Sequence, residues 1–388
     1  MKSVTRKSDL AINGAAPAFE QVLHVGRPNI GNREELLKAL GDIVDRNWLT
    51  NDGPLVREFE DNIARLHNVK HCIAICNGTI ALEIAIRALG LKGEVIVPSY
   101  SFIATAHALS WQGITPVFAD IDPRTHNLNP ESVRRMITPN TTGIIGVHLW
   151  GRPAPVDELA TIAAEFGLKL MYDAAHAFGA SNKGRKIGAF GKCEVLSFHA
   201  TKVLNSFEGG AILTNDSELA QTAKLMRNFG FAGFDNVIHP GTNGKMTEIC
   251  AAMGLINLRH FDRFVESNRL AYQRYSKALK SVPGIRLLEY ENVNHPNYHY
   301  VVVEIEEGGE ARDKVIEALH AENVLARKYF WPGCHGMKTY KSIYPHAGLL
   351  LPHTCQVADR VIVLPNGASL PDGAEACISD IIKVVLAN

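Results

Sequence analysis

His71-Cys72-Ile73-Ala74-Ile75-Cys76-Asn77-Gly78-Thr79 sets a short apolar run against a turn, and the turn opens onto a helical pattern from Ile80 to Leu89. A run of this length bounded by Asn-Gly reads as a buried strand that stops abruptly. The unit then repeats. Glu94–Val97 is a strand, broken by Pro98-Ser99-Tyr100-Ser101 before a helix over Phe102–Trp111. Pro116–Ala119, Gly143–Val147 and Leu168–Tyr172 are further strands, with helices over Pro130–Ile137 and Val156–Phe166. Short apolar strands separated by helices are βαβ units and predict a mostly parallel sheet.

The rhythm changes at Glu194. Glu194–Phe198 and Ala211–Leu213 are strands joined without a helix, and the loop between them holds Ala200-Thr201-Lys202. Helices follow over Glu218–Asn228, Glu248–His260 and Phe264–Leu279, with a Gly- and Asn-rich loop over Phe229–Lys245. From Gly284 onward a strand (Tyr298–Glu304), a helix (Ala311–Glu322) and a Pro/Gly/His-rich loop (Tyr329–His353) suit a smaller α/β domain. Upstream, Met1–Gly31 reads as an irregular arm punctuated by Pro17 and Pro28. Asn32 is placed to cap a helix from Arg33 to Asn47, and Leu55–Leu66 forms a second helix that turns Phe59 and Ile63 inward. The expected domains are an arm (1–30), a large domain (31–262) and a small C-terminal domain (263–388).

Size and charge agree with this division. A chain of 388 residues exceeds what one hydrophobic core usually serves. Lys plus Arg equal Asp plus Glu at 40 each, so no global field draws the chain to nucleic acid or anionic lipid. No apolar run approaches the ~20 residues of a membrane span, and Met1–Glu20 has no secretory apolar segment. The 7 cysteines lack paired spacing, which suits a reducing cytoplasm. Cys334-His335 and the group His346, His353 and Cys355 lack the spacing of a structural zinc site, so no metal is expected.

Ligands of open parallel sheets sit beyond the carboxyl ends of the strands, and three features fall there. Asn77-Gly78-Thr79 offers a glycine and a helix N-terminus suited to phosphate, or it is a plain tight turn. Asp173 leaves the apolar strand of Leu170-Met171-Tyr172 and needs a partner, either a helix cap or a cationic ring nitrogen. His176 is within reach of the same ligand, or is a satisfied structural histidine. Lys202 is either a solvated loop cation or an amine desolvated enough to condense with a carbonyl. Together these make a phosphate cradle, a carboxylate for a ring nitrogen and an amine for an aldehyde, the groups that pyridoxal phosphate demands. Phe102 or Tyr100 is available to cover a ring, with a helix-start core role as the alternative for Phe102.

These stretches resemble the DegT-type sugar-nucleotide aminotransferases. The likeness covers Cys76-Asn77-Gly78-Thr79, Tyr172-Asp173-Ala174-Ala175-His176-Ala177-Phe178-Gly179, and Ser197-Phe198-His199-Ala200-Thr201-Lys202 with Glu208-Gly209-Gly210. It extends to Trp48-Leu49-Thr50-Asn51-Asp52-Gly53-Pro54, Gly241-Thr242-Asn243-Gly244-Lys245-Met246 and Tyr329-Phe330-Trp331-Pro332-Gly333-Cys334-His335. The resemblance implies the aspartate-aminotransferase fold (PLP fold type I), a homodimer with active sites at the subunit interface, and pyridoxal 5'-phosphate as cofactor. By position, Lys202 corresponds to the lysine that carries the cofactor, Asp173 to the partner of its ring nitrogen and His176 to the contact of its phenolic oxygen. Gly78, Thr79 and Ser197 correspond to phosphate contacts and Phe102 to the stacking aromatic. Asn243 matches an asparagine that reaches the phosphate from the other subunit.

One subgroup carries histidine in place of the lysine and dehydrates its substrate; the presence of Lys202 disfavours that chemistry. The Phe198–Val203 and Arg327–Pro332 wording resembles members that aminate dTDP-4-keto-6-deoxyglucose with glutamate as donor. Amination at C-3, and a PLP-binding regulator without activity, are the alternatives; no DNA-binding module or basic tail supports the second. Arg227, Lys245, Arg327 and Lys328 are candidate cations for the nucleotide diphosphate, each also readable as a surface charge.

Overall fold

The computed structural model describes residues 2–291 and 294–387; Met1 and Asn388, the outer limits of the expected arm and small domain, lie outside the described residues. The large sheet contains β1 (His71–Ile75), β2 (Glu94–Pro98), β3 (Thr115–Ala119), β4 (Thr141–Val147), β5 (Lys169–Asp173), β6 (Glu194–Ser197) and β7 (Gly210–Thr214). Their spatial order is β1-β7-β6-β5-β4-β2-β3. Every neighbouring pair is parallel except those made by β7, which runs antiparallel to both β1 and β6. The reason is the missing helix: without a crossover, the chain after β6 can only return antiparallel.

Helices cover both faces, as a sheet of near-continuous apolar strands requires. Ile73 and Ile75 of β1, Val95 and Val97 of β2, and Ile145 of β4 face one core, with Ala81, Ile84 and Ala85 of α3 (Gly78–Ala88). Ala74, Ile96, Ile144 and Tyr172 face the opposite core, with Val56, Phe59 and Ile63 of α2 (Pro54–His67). This is the period-2 alternation of a strand read from both sides. Phe59 is fully buried and meets Phe198 edge-on at 5.1 Å between ring centroids, tying α2 to the lysine loop. Burial of one such side chain contributes roughly 1.5–3 kcal/mol.

Caps set the helix starts. Asn32 accepts from the N–H groups of Glu34 and Glu35 and starts α1 (Arg33–Arg46) as expected. Asn77 Oδ1 accepts from Ile80 N at 2.9 Å, so α3 begins at Gly78, a half-turn before its apolar pattern. After β2 the difference runs the other way. Helix α4 (Ala104–Ser110) begins past Phe102, whose carbonyl accepts from Thr105 in a preceding turn.

A second, antiparallel sheet orders β8 (Ile285–Leu287), β9 (Val301–Ile305) and β10 (Val361–Leu364). A long helix, Phe261–Leu279, leads into it from the large sheet and begins three residues before its expected start at Phe264. Its own core joins Val301, Val303, Ile305 and Leu319 with Val4, Leu10, Phe19 and Leu23 of the N-terminal residues. The arm is irregular but anchored. Glu322, fully buried, accepts from Ala11 N at 2.7 Å and Ala18 N at 2.5 Å, and Leu23–His24 pairs with Val324–Leu325. Among the described residues no helix is long and apolar enough to cross a membrane.

Candidate active site

The carboxyl ends of β1, β2, β4, β5 and β6 converge on one cavity of about 600 Å³. Its wall includes Gly78, Thr79, Phe102, Asp173, His176, Ser197 and Lys202, seven of the eight residues singled out in the sequence.

Lys202 lies in the tight excursion between β6 and β7. Phe198 N donates to Gly209 O at 2.7 Å and Ser206 N to Phe198 O at 2.9 Å, closing the loop's base. Two remote segments brace it: His299 Nε2 donates to Thr201 O at 2.8 Å, and Asn29 Nδ2 to Val203 O at 3.0 Å. The side chain is enclosed by protein but reached through the cavity. Burial lowers its pKa to about 8, against the opposing pull of the Asp173 carboxylate. Lys202 is therefore an amine that sheds its proton far more readily than a surface lysine.

Asp173 ends β5 and is buried. Oδ2 accepts from the Thr105 hydroxyl at 2.8 Å and Oδ1 from Ala175 N at 3.0 Å. Both donors orient the carboxylate. It caps no helix. His176 follows on the same wall, buried, and its pKa is driven well below the ordinary value by burial and by the nearby Lys202 and His299.

At the end of β1, among the described residues, no protein acceptor takes the N–H groups of Gly78 or Thr79, the first two residues of α3. Such a helix start binds anions. Glycine at two positions permits this packing. A Cβ on Gly210 would lie 2.6 Å from the Asn77 carbonyl carbon, and one on Gly78 3.0 Å from Ser197 Cβ. Phe102 is 55% exposed, so it is a cavity residue and not the helix-start core residue its periodicity also allowed.

Asn243 is not in the cavity wall. It is exposed on the segment after the helix Ser217–Arg227, where its backbone bridges to Asn228. The candidate diphosphate cations are dispersed. Arg227 is buried on Glu60 at 2.5 Å and Asp52 at 3.4 Å, which gives it a structural partner. Lys328 pairs with Asp313 at 3.0 Å, Lys245 meets Asn228 Oδ1 at 3.2 Å, and Arg327 lies over the Tyr329 ring.

The donor set fits pyridoxal phosphate: free helix N–H groups and hydroxyls for a phosphate, a buried oriented carboxylate for a ring nitrogen, and a desolvated amine for an aldehyde. Comparison with known proteins agrees. The DegT/DnrJ/EryC1/StrS aminotransferase family matches residues 31–383. This chain belongs to that family. Among DegT-type relatives, the dTDP-4-amino-4,6-dideoxy-D-glucose transaminase of Escherichia coli is 37% identical over 89% of this chain and 94% of that protein. The GDP-perosamine synthase of Caulobacter vibrioides is 34% identical over 89% and 92%. The crystal structure of DesI in the presence of its TDP-sugar product superposes with a TM-score of 0.92 at 46% identity, covering 97% of this chain and 96% of that one.

Several residues in or behind the cavity wall carry no signal in the sequence. Thr105 sits in a helical run and gives no local sign that it will reach Asp173. Tyr300 enters the cavity from the segment before β9. Tyr329 and Phe330 line it too; the motif had marked their stretch without assigning them a role.

Proposed function

We propose that the chain is a pyridoxal-phosphate-dependent aminotransferase that moves an amino group from glutamate to C-4 of a nucleotide-linked 4-keto-6-deoxy sugar, dTDP-4-keto-6-deoxyglucose. The carrying observation is the convergence of Lys202, Asp173 and the α3 N-terminus on one cavity. The E. coli relative and the DesI structure support the 4-amino product and the dTDP carrier.

Gly78, Thr79 and Ser197 would hold the cofactor phosphate, Asp173 its ring nitrogen, His176 its phenolic oxygen and Phe102 one face of its ring. When bound, pyridoxal phosphate supplies an aldehyde that takes up and gives back an amino group, and a ring that withdraws electrons. Asp173, its carboxylate oriented by Thr105 and Ala175 N, would hold the proton on the ring nitrogen. Lys202 Nζ, with a pKa of about 8, is close to equally protonated and free at mildly alkaline pH. It therefore takes a proton from the amino donor's Cα in one half of the cycle and returns one to the sugar carbon in the other. Phe102, Tyr329 and Phe330 give the cavity an apolar surface against which the ring would pack.

The same reading includes a homodimer. Among the described residues, Lys202 is the one lysine, with no arginine, in the cavity wall of a single chain, while the substrate carries a diphosphate. Segment 229–243 projects Phe231, Phe234, Val237 and Ile238 into solvent and ends at Asn243. A second copy seated on this apolar face would bring Asn243 and further polar groups to the cavity mouth. Residues 31–262 serve as the cofactor domain, 263–388 as the smaller domain that contributes Tyr300 and Phe330, and 1–30 as the arm. All the cysteines are free thiols, which supports a cytoplasmic enzyme.

The test is the first half-reaction. Protein loaded with pyridoxal phosphate should change its visible absorption on adding glutamate and release 2-oxoglutarate. Loaded protein that releases none with any amino acid would refute the proposal.

A further inference from the structure

Trp150 is fully buried behind the cavity, and its backbone is left-handed at φ 60°, ψ 14°. A non-glycine residue holds that conformation only when its surroundings impose it. Here they do so from several sides. The indole Nε1–H donates to His126 Nδ1 at 3.2 Å. His126 Nε2 lies 2.7 Å from Glu304 Oε1, and Arg286 pairs with the same carboxylate. The Trp150 carbonyl accepts from the Tyr290 hydroxyl at 3.0 Å. The ring lies near-parallel to Phe330, at 5.2 Å, and to His176, at 5.9 Å, and those two rings are in turn 6.0 Å apart.

The consequence of this conformation is the direction of one N–H. Trp150 N donates to His176 Nδ1 at 3.3 Å. A backbone amide is only a donor, so Nδ1 must be the unprotonated ring nitrogen, and the ring proton sits on Nε2. The His176 carbonyl is fixed as well, accepting from Asn297 Nδ2 at 3.0 Å, so the ring cannot slide from this register. Among the described residues, Nε2 has no protein partner. The titratable groups around the ring are Lys202, His299 and Tyr300; burial first, and then the positive charge of Lys202, disfavour a second proton, while burial keeps His299 itself neutral.

We propose that Trp150 is a positioning residue for His176: its backbone N–H occupies Nδ1 and fixes the imidazole as the neutral Nε2–H form. His176 is thereby a hydrogen-bond donor in the cavity wall, neither an acceptor nor a cation. The His126–Glu304 pair carries that placement from the second sheet, because it anchors the indole whose backbone makes the contact. This deepens the cofactor reading above, on which the identity of the group facing Nε2 rests.

The experiment reads the proton directly, on the cofactor-free full chain. Ring-15N-histidine NMR, with His176 assigned by its disappearance in His176→Gln, should show Nδ1 bare and Nε2 protonated throughout roughly pH 6 to 8, the range in which an ordinary histidine titrates. Trp150→Phe keeps a stacking ring and drops the indole N–H, and should convert His176 to a mixture of both neutral forms. A Gln amide can accept from Trp150 N and donate from its other end. His176→Gln should therefore bind pyridoxal phosphate within a few-fold of the parent, while His176→Leu loses about tenfold, the value of one buried hydrogen bond. His176 carrying its proton on Nδ1, or two protons at neutral pH, would overturn the proposal. So would Gln and Leu variants that bind the cofactor equally, and Trp150→Phe with an unchanged tautomer would overturn the part assigned to the His126–Glu304 anchor. Because the tautomer is measured without cofactor or turnover, an inactive enzyme would refute the aminotransferase reading and leave this result standing.

Discussion

Thr105→Val removes one hydroxyl and keeps the shape of the side chain. Thr105 is 1% exposed and Asp173 6%, and the Thr105 hydroxyl to Asp173 Oδ2 contact is 2.8 Å. A hydrogen bond to a charged group contributes about 1.5–3 kcal/mol. Asp173 keeps its second donor, Ala175 N at 3.0 Å, and lines a cavity that water enters, so the lower end of that range applies. A loss of about 1.5 kcal/mol is roughly a tenfold change in an equilibrium constant. If the misoriented carboxylate is felt mainly by the bound ring, pyridoxal phosphate should bind about tenfold more weakly, and thermal unfolding of the cofactor-free protein should shift only slightly. Absorbance titration and calorimetry separate the two. Thr105→Ser restores the hydroxyl and should recover most of the affinity. Equal affinities for parent and Thr105→Val, or a serine variant as impaired as the valine one, would refute this account of Asp173.

Other outcomes follow from the same geometry. With its pKa at about 8, Lys202 in cofactor-free protein should be modified by an amine reagent with a midpoint near that pH. Above the midpoint the free amine dominates, and below it reactivity falls about tenfold per unit, while surface lysines stay unreactive until far more alkaline; peptide mass spectrometry reads each site. Gly210→Ala places a methyl 2.6 Å from the Asn77 carbonyl and should displace the α3 start, weakening cofactor binding by about 1–3 kcal/mol. Glu322→Gln turns an acceptor for Ala18 N into a donor and should cost about 3 kcal/mol locally. The readout is faster tryptic cleavage at Lys7, against unchanged cleavage of the large sheet.

Much of this site could be read from the chain because its parts are local. Strand, turn and helix start lie within nine residues at His71–Thr79, and the absent helix between Glu194 and Leu213 already marks the antiparallel return of β7. Asp173 and Lys202 stand out because a carboxylate ending an apolar strand and a lysine between two strands both demand partners. The missing parts are those delivered from a distance. His299 braces Thr201 from nearly a hundred residues on, and no periodicity announces it. Thr105 looks like any helix residue until α4 is laid across the end of β5. Trp150 carries no signal, since a left-handed backbone leaves no trace in a sequence without glycine or asparagine at that position. The arm reads as irregular because Pro17 and Pro28 punctuate it, and its anchor, Glu322, lies some three hundred residues further on.

The proposal that Lys202 and the groups converging on it transfer an amine to a nucleotide-linked ketosugar is tested most directly by the product. Protein loaded with pyridoxal phosphate should be incubated with glutamate and dTDP-4-keto-6-deoxyglucose and the sugar product solved by NMR. The account predicts an amine at C-4 and stoichiometric 2-oxoglutarate with the parent, and neither with Lys202→Ala. An unaminated sugar under conditions where the cofactor is bound, or equal product from Lys202→Ala, would contradict it.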